Sequence, residues 1–205
     1  MESIAAMVLA AGGSSRMGRA KQLLQIDGES LVRRITRAAI HARCKPIVVV
    51  TGADADAVAK EISDLRVESA LNPQWSNGMG GSIRCGLAAI LKSDPNIEAA
   101  AVLLCDQALL DAEVLRNLIA SFSDGGKPMA ACRYGNTIGP PCCFAKSMFA
   151  DLLRLPDSQG AKRLLLARPS DVTALDWPQG ESDLDTPADW QRFCKRDSGA
   201  GNSRP

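Results

Sequence analysis

A chain of 205 residues with 46% hydrophobic content can bury one sizeable core, so a single domain is expected. Its 24 Lys+Arg against 23 Asp+Glu leave no charge excess of the kind that binds nucleic acid or an anionic membrane surface. Seven cysteines, an odd number with adjacent Cys142-Cys143 and no C-x-x-C pair, argue against a zinc site or a disulfide framework, and the lone His41 excludes a multi-histidine metal centre. With neither a basic leader segment nor an apolar run of membrane-spanning length, a cytoplasmic protein with reduced, buried cysteines is expected.

In chain order, residues 4–10 read as a buried strand and 30–43 as a helix, with Ser30 at its N-cap and Leu31, Ile35, Ala38, Ala39 and Ala42 on one face. Strand 46–51, helix 54–62 and strand 67–71 follow. After a loop over 72–81 come a helix over 82–91 and the apolar strand 99–105. The second half is less regular: strands over 128–132, 141–144 and 172–175, helices over 147–153 and 160–167, and a last helix over 187–194 opened by Pro187. The domain is expected to span 1–195, with a polar, disordered tail over 196–205. Apolar strands alternating with amphipathic helices indicate an α/β fold, a doubly wound and mostly parallel sheet covered on both faces. Ligands bind such sheets beyond the carboxyl ends of the strands, where the loops after 4–10 and 99–105 lie.

Four segments can carry chemistry. The first, LAAGGSSRMGRAKQLL (9–24), resembles a phosphate loop but has neither G-x-G-x-x-G nor the P-loop lysine directly after Gly18. Its small residues Gly12, Gly13, Ser14 and Ser15 let backbone amides approach phosphate, and Arg16 and Lys21 add cations. An ordinary strand-to-helix turn with solvated cations is the competing reading. The second is Cys105-Asp106-Gln107, where the carboxylate either holds Mg²⁺ against phosphate oxygens or caps the next helix or opens a turn. The third is SDLDTPADW (182–190). Asp183 and Asp185 point the same way if extended, whereas Thr186, Pro187 and Asp189 are explained by helix capping alone. The fourth is WSNGMGGS (75–82), a glycine-rich loop that can read a base edge, with Ser82 placed to cap the helix, or that is simply a flexible turn.

Taken together with GMGGSIRCGL, LLCDQ, GPPCCF, SQGAKRLL and DLDTPADW, in that order over roughly residues 4–194, the opening segment resembles the MobA-like nucleotidyltransferases, and within them the molybdenum cofactor cytidylyltransferases. The resemblance implies a Rossmann-like fold and transfer of a nucleoside monophosphate from an NTP to a phosphorylated acceptor with Mg²⁺. It implies that Leu9, Ala10, Ala11 and Gly12 lie along base and ribose, that Gly13 and Ser14 line the phosphate path, and that Arg16 and Lys21 grip the triphosphate. Gly80, Gly81 and Ser82 would help to read the base, and Asp106 would bind Mg²⁺ with Asp185 as second carboxylate, Asp183 being the substitute. Relatives that use GTP tend to read LAGG at the loop, so Leu9-Ala10-Ala11-Gly12 favours CTP. The acceptor would be molybdenum-bearing molybdopterin, with Gly139-Pro140-Pro141, Lys162 and Arg163 as candidates for its side of the crevice, although helix-surface charge is the stronger reading of Lys162 and Arg163. A molybdoenzyme or its maturation chaperone would be a partner. The competitors are a guanylyl- or sugar/alditol-phosphate nucleotidyltransferase, a delivery module without chemistry, and a nicotinamide-dependent oxidoreductase. Two residues depart from the family pattern: Ala108 stands where Pro is common after CDQ, and Ala188 where DTPED has glutamate.

Overall fold

A computed structural model describes residues 4–14, 17–181 and 186–200 of the chain. Nine strands form in chain order: β1 Ala5–Ala10, β2 Gln25–Ile26, β3 Glu29–Ser30, β4 Ile47–Thr51, β5 Glu68–Leu71, β6 Ala99–Leu104, β7 Met129–Tyr134, β8 Thr137–Ala145 and β9 Val172–Asp176. The helices are α1 Leu31–His41, α2 Ala55–Glu61, α3 Met79–Ser93, α4 Ala112–Asp124, α5 Phe149–Leu153, α6 Lys162–Ala167 and α7 Pro187–Ala200. Seven strands make one sheet in the order β5-β4-β1-β6-β8-β7-β9, while β2 and β3 pair separately. All neighbours in the large sheet are parallel except those of β8, which runs antiparallel between β6 and β7.

Alternation along the strands divides the core into two layers. Ala6, Val8, Val49, Ala101 and Leu103 face the layer of α1, α2 and α4, joining Val32, Ile35, Val58, Leu115 and Leu118. Met7, Val48, Val50, Ala100, Val102 and Phe144 face the other layer, with Ile83, Leu87, Ile90, Phe149 and Leu165 of α3, α5 and α6. Because β1, β4 and β6 are buried on both faces, they read as unbroken apolar runs rather than alternating ones. A third, smaller cluster gathers Met17, Leu24, Ile26, Leu31 and Ala108, and Trp190 and Phe193 of α7 pack against it. Helix α7 is thereby held beside both the opening segment and the loop after β6.

Several elements differ from expectation. Helix α4 has no counterpart in the sequence reading, yet it begins on a plain signal: the Asp111 carboxylate accepts from the backbone N–H of Glu113 and Val114, both at 2.9 Å. The β2–β3 hairpin was equally unforeseen. Its turn residues Asp27 and Gly28 have φ of 51° and 78°, the pairing that a two-residue hairpin turn demands. Strand β8 is longer than 141–144 despite Pro140 and Pro141, because the β7–β8 register shifts between Ala131 and Cys132, and the two prolines fall in that irregularity. Ser30 stands at the α1 N-cap position, but its hydroxyl makes no capping bond and is buried without a partner among the described residues. Helix α7 continues to Ala200, past the 187–194 expected for the last helix. No helix among the described residues is long and apolar enough to cross a membrane.

Candidate nucleotide-binding site

Adjacent parallel strands β1 and β6, paired Leu9 to Leu104, deliver the opening segment and Asp106 to the same edge of the sheet. There a cleft of about 350 Å³ is lined by Leu9, Ala10, Ala11 and Gly12, by Ser14, Lys21 and Gln22, by Trp75, Ser76, Gly78, Met79 and Ser82, and by Leu104, Cys105 and Asp106. It lies beyond the carboxyl ends of the strands, as the doubly wound arrangement requires.

Lys21 Nζ lies 3.2 Å from Asp106 Oδ2, an ion pair between residues 85 apart, with side chains only 17% and 25% exposed. The second oxygen, Asp106 Oδ1, is buried and has no hydrogen-bond partner among the described residues. A carboxylate oxygen held out of water and unpaired is what a hard divalent cation would satisfy, since Mg²⁺ takes one or two carboxylates plus phosphate oxygens. Asp106 does not cap α4, a role that Asp111 fills. No cluster of three or more His, Cys, Asp or Glu side chains suited to a metal forms among the described residues; Arg16, Asp183 and Asp185 lie outside them. Burial, with the neighbouring Asp106 carboxylate adding to it, pushes the Cys105 thiol far up, so this cleft residue stays protonated and is no nucleophile.

The opening segment is braced from below. Lys21 N–H donates to Ser14 Oγ at 2.9 Å, the Ser14 hydroxyl donates to Gln22 Oε1 at 3.3 Å, and Gln22 Nε2 donates to both Gly12 O and Asp54 Oδ2 at 3.2 Å. Ser14 adopts a left-handed φ of 48°, which the hydroxyl bonds help to hold. Gln22, buried to 3% exposure, and Asp54 escaped the sequence reading because their role depends on partners 10 and 32 residues away.

Trp75 forms one wall. A Cβ on Gly13 would stand 2.8 Å from its Cη2, and one on Gly52 would stand 2.7 Å from its Cβ, so both glycines make room for this side chain. Among the described residues, Gly13, Gly80 and Gly81 lie beside the cleft rather than along its lining. Gly78 and Gly80 admit the 155–159 loop: a Cβ on either would meet Asp157 O at 2.2 Å or Pro156 O at 2.1 Å. Arg84 secures that loop by donating to Leu155 O and pairing with Asp157. Helix α3 starts at Met79, three residues before Ser82, so Ser82 does not cap it; its Oγ accepts from Asn72 Nδ2 at 3.1 Å instead. On the far side, Gln107 Nε2 donates to Pro140 O at 2.7 Å, joining the residue after Asp106 to the start of β8. Lys162 runs alongside Gly139, while Arg163 contacts Gln159 in the loop that precedes its helix.

At the third segment, capping geometry is complete. Asp189 Oδ2 accepts from Thr186 N and Thr186 Oγ1 at 2.8 and 2.7 Å, and Asp189 N–H returns a bond to Thr186 Oγ1 at 3.2 Å. These bonds, Thr186 before Arg192, hold the Asp189 carboxyl below its usual range. The cap forms with alanine at 188.

Residues 6–172 match the model of the MobA-like NTP transferase domain. The chain belongs to this family. That family is one of nucleotidyltransferases, which use an NTP and a divalent metal ion. It is 32% identical over 129 residues to the nicotine blue oxidoreductase of Paenarthrobacter nicotinovorans, a match covering 62% of this chain and about three fifths (61%) of that relative's length. It is 27% identical over 195 residues to the purine catabolism protein PucB of Bacillus subtilis, covering 89% of this chain and 91% of PucB. Among solved structures, the Rv0371c homologue from Mycobacterium sp. strain JC1 superposes with a TM-score of 0.78 at 27% identity, over 96% of this chain and 98% of that one.

Proposed function

We propose that this MobA-like NTP transferase moves CMP from CTP onto the phosphate of molybdenum-bearing molybdopterin, giving the cytosine dinucleotide form and pyrophosphate. The observation that carries this reading is the Lys21–Asp106 pair set across a cleft walled by Leu9, Ala10, Ala11 and Gly12, with one Asp106 oxygen buried and unpaired. In the proposed reaction Asp106, joined by Asp185, holds magnesium, and Lys21 with Arg16 turns to the triphosphate. The ion, when bound, would offset negative charge on the phosphate oxygens. Backbone amides of Gly12 and Ser14 line the path of the phosphates, with Gly13 between them behind that lining, and Ala11 with Trp75, Ser76, Gly78, Met79 and Ser82 bounds the base. The acceptor's phosphate oxygen forms a bond to the α-phosphorus as the bond to pyrophosphate breaks in line. A phosphate monoester is already anionic near neutral pH and needs no general base. That accords with His41, which sits exposed at the end of α1, away from the cleft lining. Catalysis then rests on positioning and charge neutralisation.

The acceptor would enter from the side of Gly139-Pro140-Pro141 and Lys162, with Gln107 linking that side to Asp106. A molybdoenzyme or its chaperone is the proposed recipient of the product. A redox reading, prompted by the name of the Paenarthrobacter relative, lacks a dinucleotide fingerprint: the opening segment has glycines at 12, 13 and 18 only. The test is pyrophosphate release over four NTPs, with and without the pterin acceptor. Turnover with CTP that depends on the pterin is expected. Faster turnover with GTP, or with a sugar phosphate as acceptor, would overturn the assignment.

A further inference from the structure

Gln22 is the one described cleft residue whose amide is committed entirely to other parts of the protein. Its orientation follows from chemistry: Gly12 O and Asp54 Oδ2 can only accept, so the –NH2 faces them, which leaves Oε1 to receive the Ser14 hydroxyl. Three residues from two segments meet on this one side chain. Gly12 and Ser14 carry the backbone that borders the cleft, and Asp54 leads into α2 after β4. The same support is reinforced nearby by Ala53 N–H donating to Ala11 O at 3.1 Å. Directly before Gln22, Lys21 has its own N–H bound to Ser14 Oγ and its ammonium directed at Asp106. The amide therefore fixes the loop from beneath while its neighbour faces Asp106.

We infer that Gln22, held by Asp54, is a positioning residue that presets residues 12–14 and Lys21 for the triphosphate without touching it. The inference rests on the nucleotidyl-transfer reading above. A loop closed in advance by buried hydrogen bonds does not have to be ordered by the nucleotide, and that ordering would otherwise be subtracted from its affinity. The role also explains why a polar side chain is kept at 3% exposure where an apolar one would pack.

Two variants and a rescue test it in the full chain with Mg²⁺. Gln22→Met keeps length but makes none of the bonds; Gln22→Glu keeps the acceptor for Ser14 but sets a carboxylate against Gly12 O and Asp54. Both should raise the KM and the calorimetric Kd for CTP about tenfold, the equivalent of roughly 1.4 kcal/mol. The KM for the pterin acceptor should stay within about twofold, the scatter expected of a site that keeps its contacts. Adding Asp54→Asn to Gln22→Glu supplies an amide donor for the new carboxylate and should recover part of the lost CTP affinity. Mere loss of folded protein would lower kcat and leave both KM values alone, and that pattern overturns the inference. So does wild-type CTP affinity in either variant, or a Gln22→Glu defect that Asp54→Asn does not lessen. If GTP is the better substrate, the specificity assignment falls, and the same variants read on GTP decide the role of Gln22. If the wild type binds no NTP, both readings fall together.

Discussion

Replacing Gly13 by alanine probes the wall that Trp75 makes with the opening loop. The new Cβ would lie 2.8 Å from Cη2 and 2.9 Å from Cζ3 of the indole, where carbon atoms normally rest about 3.5–4.0 Å apart. Either the loop or the ring must yield by roughly 0.7–1 Å to restore that spacing. The Gly52 backbone backs the other side of Trp75, where a Cβ would stand only 2.7 and 2.8 Å from the indole's Cβ and Cγ. Overpacking of this kind costs about 1–3 kcal/mol. In a chain of this size each kcal/mol shifts Tm by about 2–4 °C, so a fall of roughly 2–12 °C is expected. Since Ser14 borders the cleft one residue on, CTP affinity should fall with it. Thermal unfolding and a calorimetric CTP titration read both effects. Trp75→Phe, a smaller ring, should relieve the clash, so Gly13→Ala with Trp75→Phe should be less impaired than the sum of the two. Strict additivity, or a Gly13→Ala protein with unaltered Tm and CTP affinity, would refute the close-packed wall.

Lys21→Ala and Asp106→Ala should each lower pyrophosphate release by about 10²–10³, the range for losing one electrostatic contact to a transition state, while circular dichroism shows a folded protein. Wild-type turnover in either variant would remove that residue from the chemistry. Among the six described cysteines, a thiol reagent acting on the native protein should reach Cys85 first, the one that is not fully buried. Burial pushes Cys44 and Cys132 up to about 12 and the Cys105, Cys142 and Cys143 thiols well above their usual value. Each therefore stays protonated in the folded state, and raising the pH from 7 to 9 should speed labelling at Cys85 alone among the six. Peptide mapping that finds a buried cysteine modified before Cys85 would contradict this.

The strands could be placed from sequence because a strand buried on both faces leaves an unbroken apolar run, as in Val48, Val49 and Val50. What the runs do not encode is pairing. Nothing local distinguishes β8, reversed between β6 and β7, from its parallel neighbours, because register is decided by residues some 40 positions away. Helix α4 and the Asp27-Gly28 hairpin carried readable signals in Asp111 and in the turn pair itself. In the cleft, Lys21 and Asp106 could be singled out because a cation in a small-residue loop and a carboxylate at a strand end are unusual locally. Gln22, Asp54 and Asn72 could not, since each matters through side-chain hydrogen bonds to partners 8 to 32 residues away. The position of Ser82 three residues inside α3 was hidden for a related reason: the helix starts early where glycines admit the 155–159 loop, a contact far off in sequence.

The reversed direction of β8 has a bearing on how substrate range can change. Because β8 runs antiparallel to both β6 and β7, the β7–β8 turn at Gly135-Asn136 emerges at the same edge as Asp106, and Pro140 within β8 accepts from Gln107. On the proposed reading, the acceptor side of the crevice would be bounded by a hairpin tip and not by a strand-to-helix crossover. Surface hairpin tips tolerate insertions, so residues can be added between Tyr134 and Thr137 to build a taller rim without shifting the strands that carry the opening loop and Asp106. Related chains could diversify their acceptors by that one turn while leaving the opening loop alone.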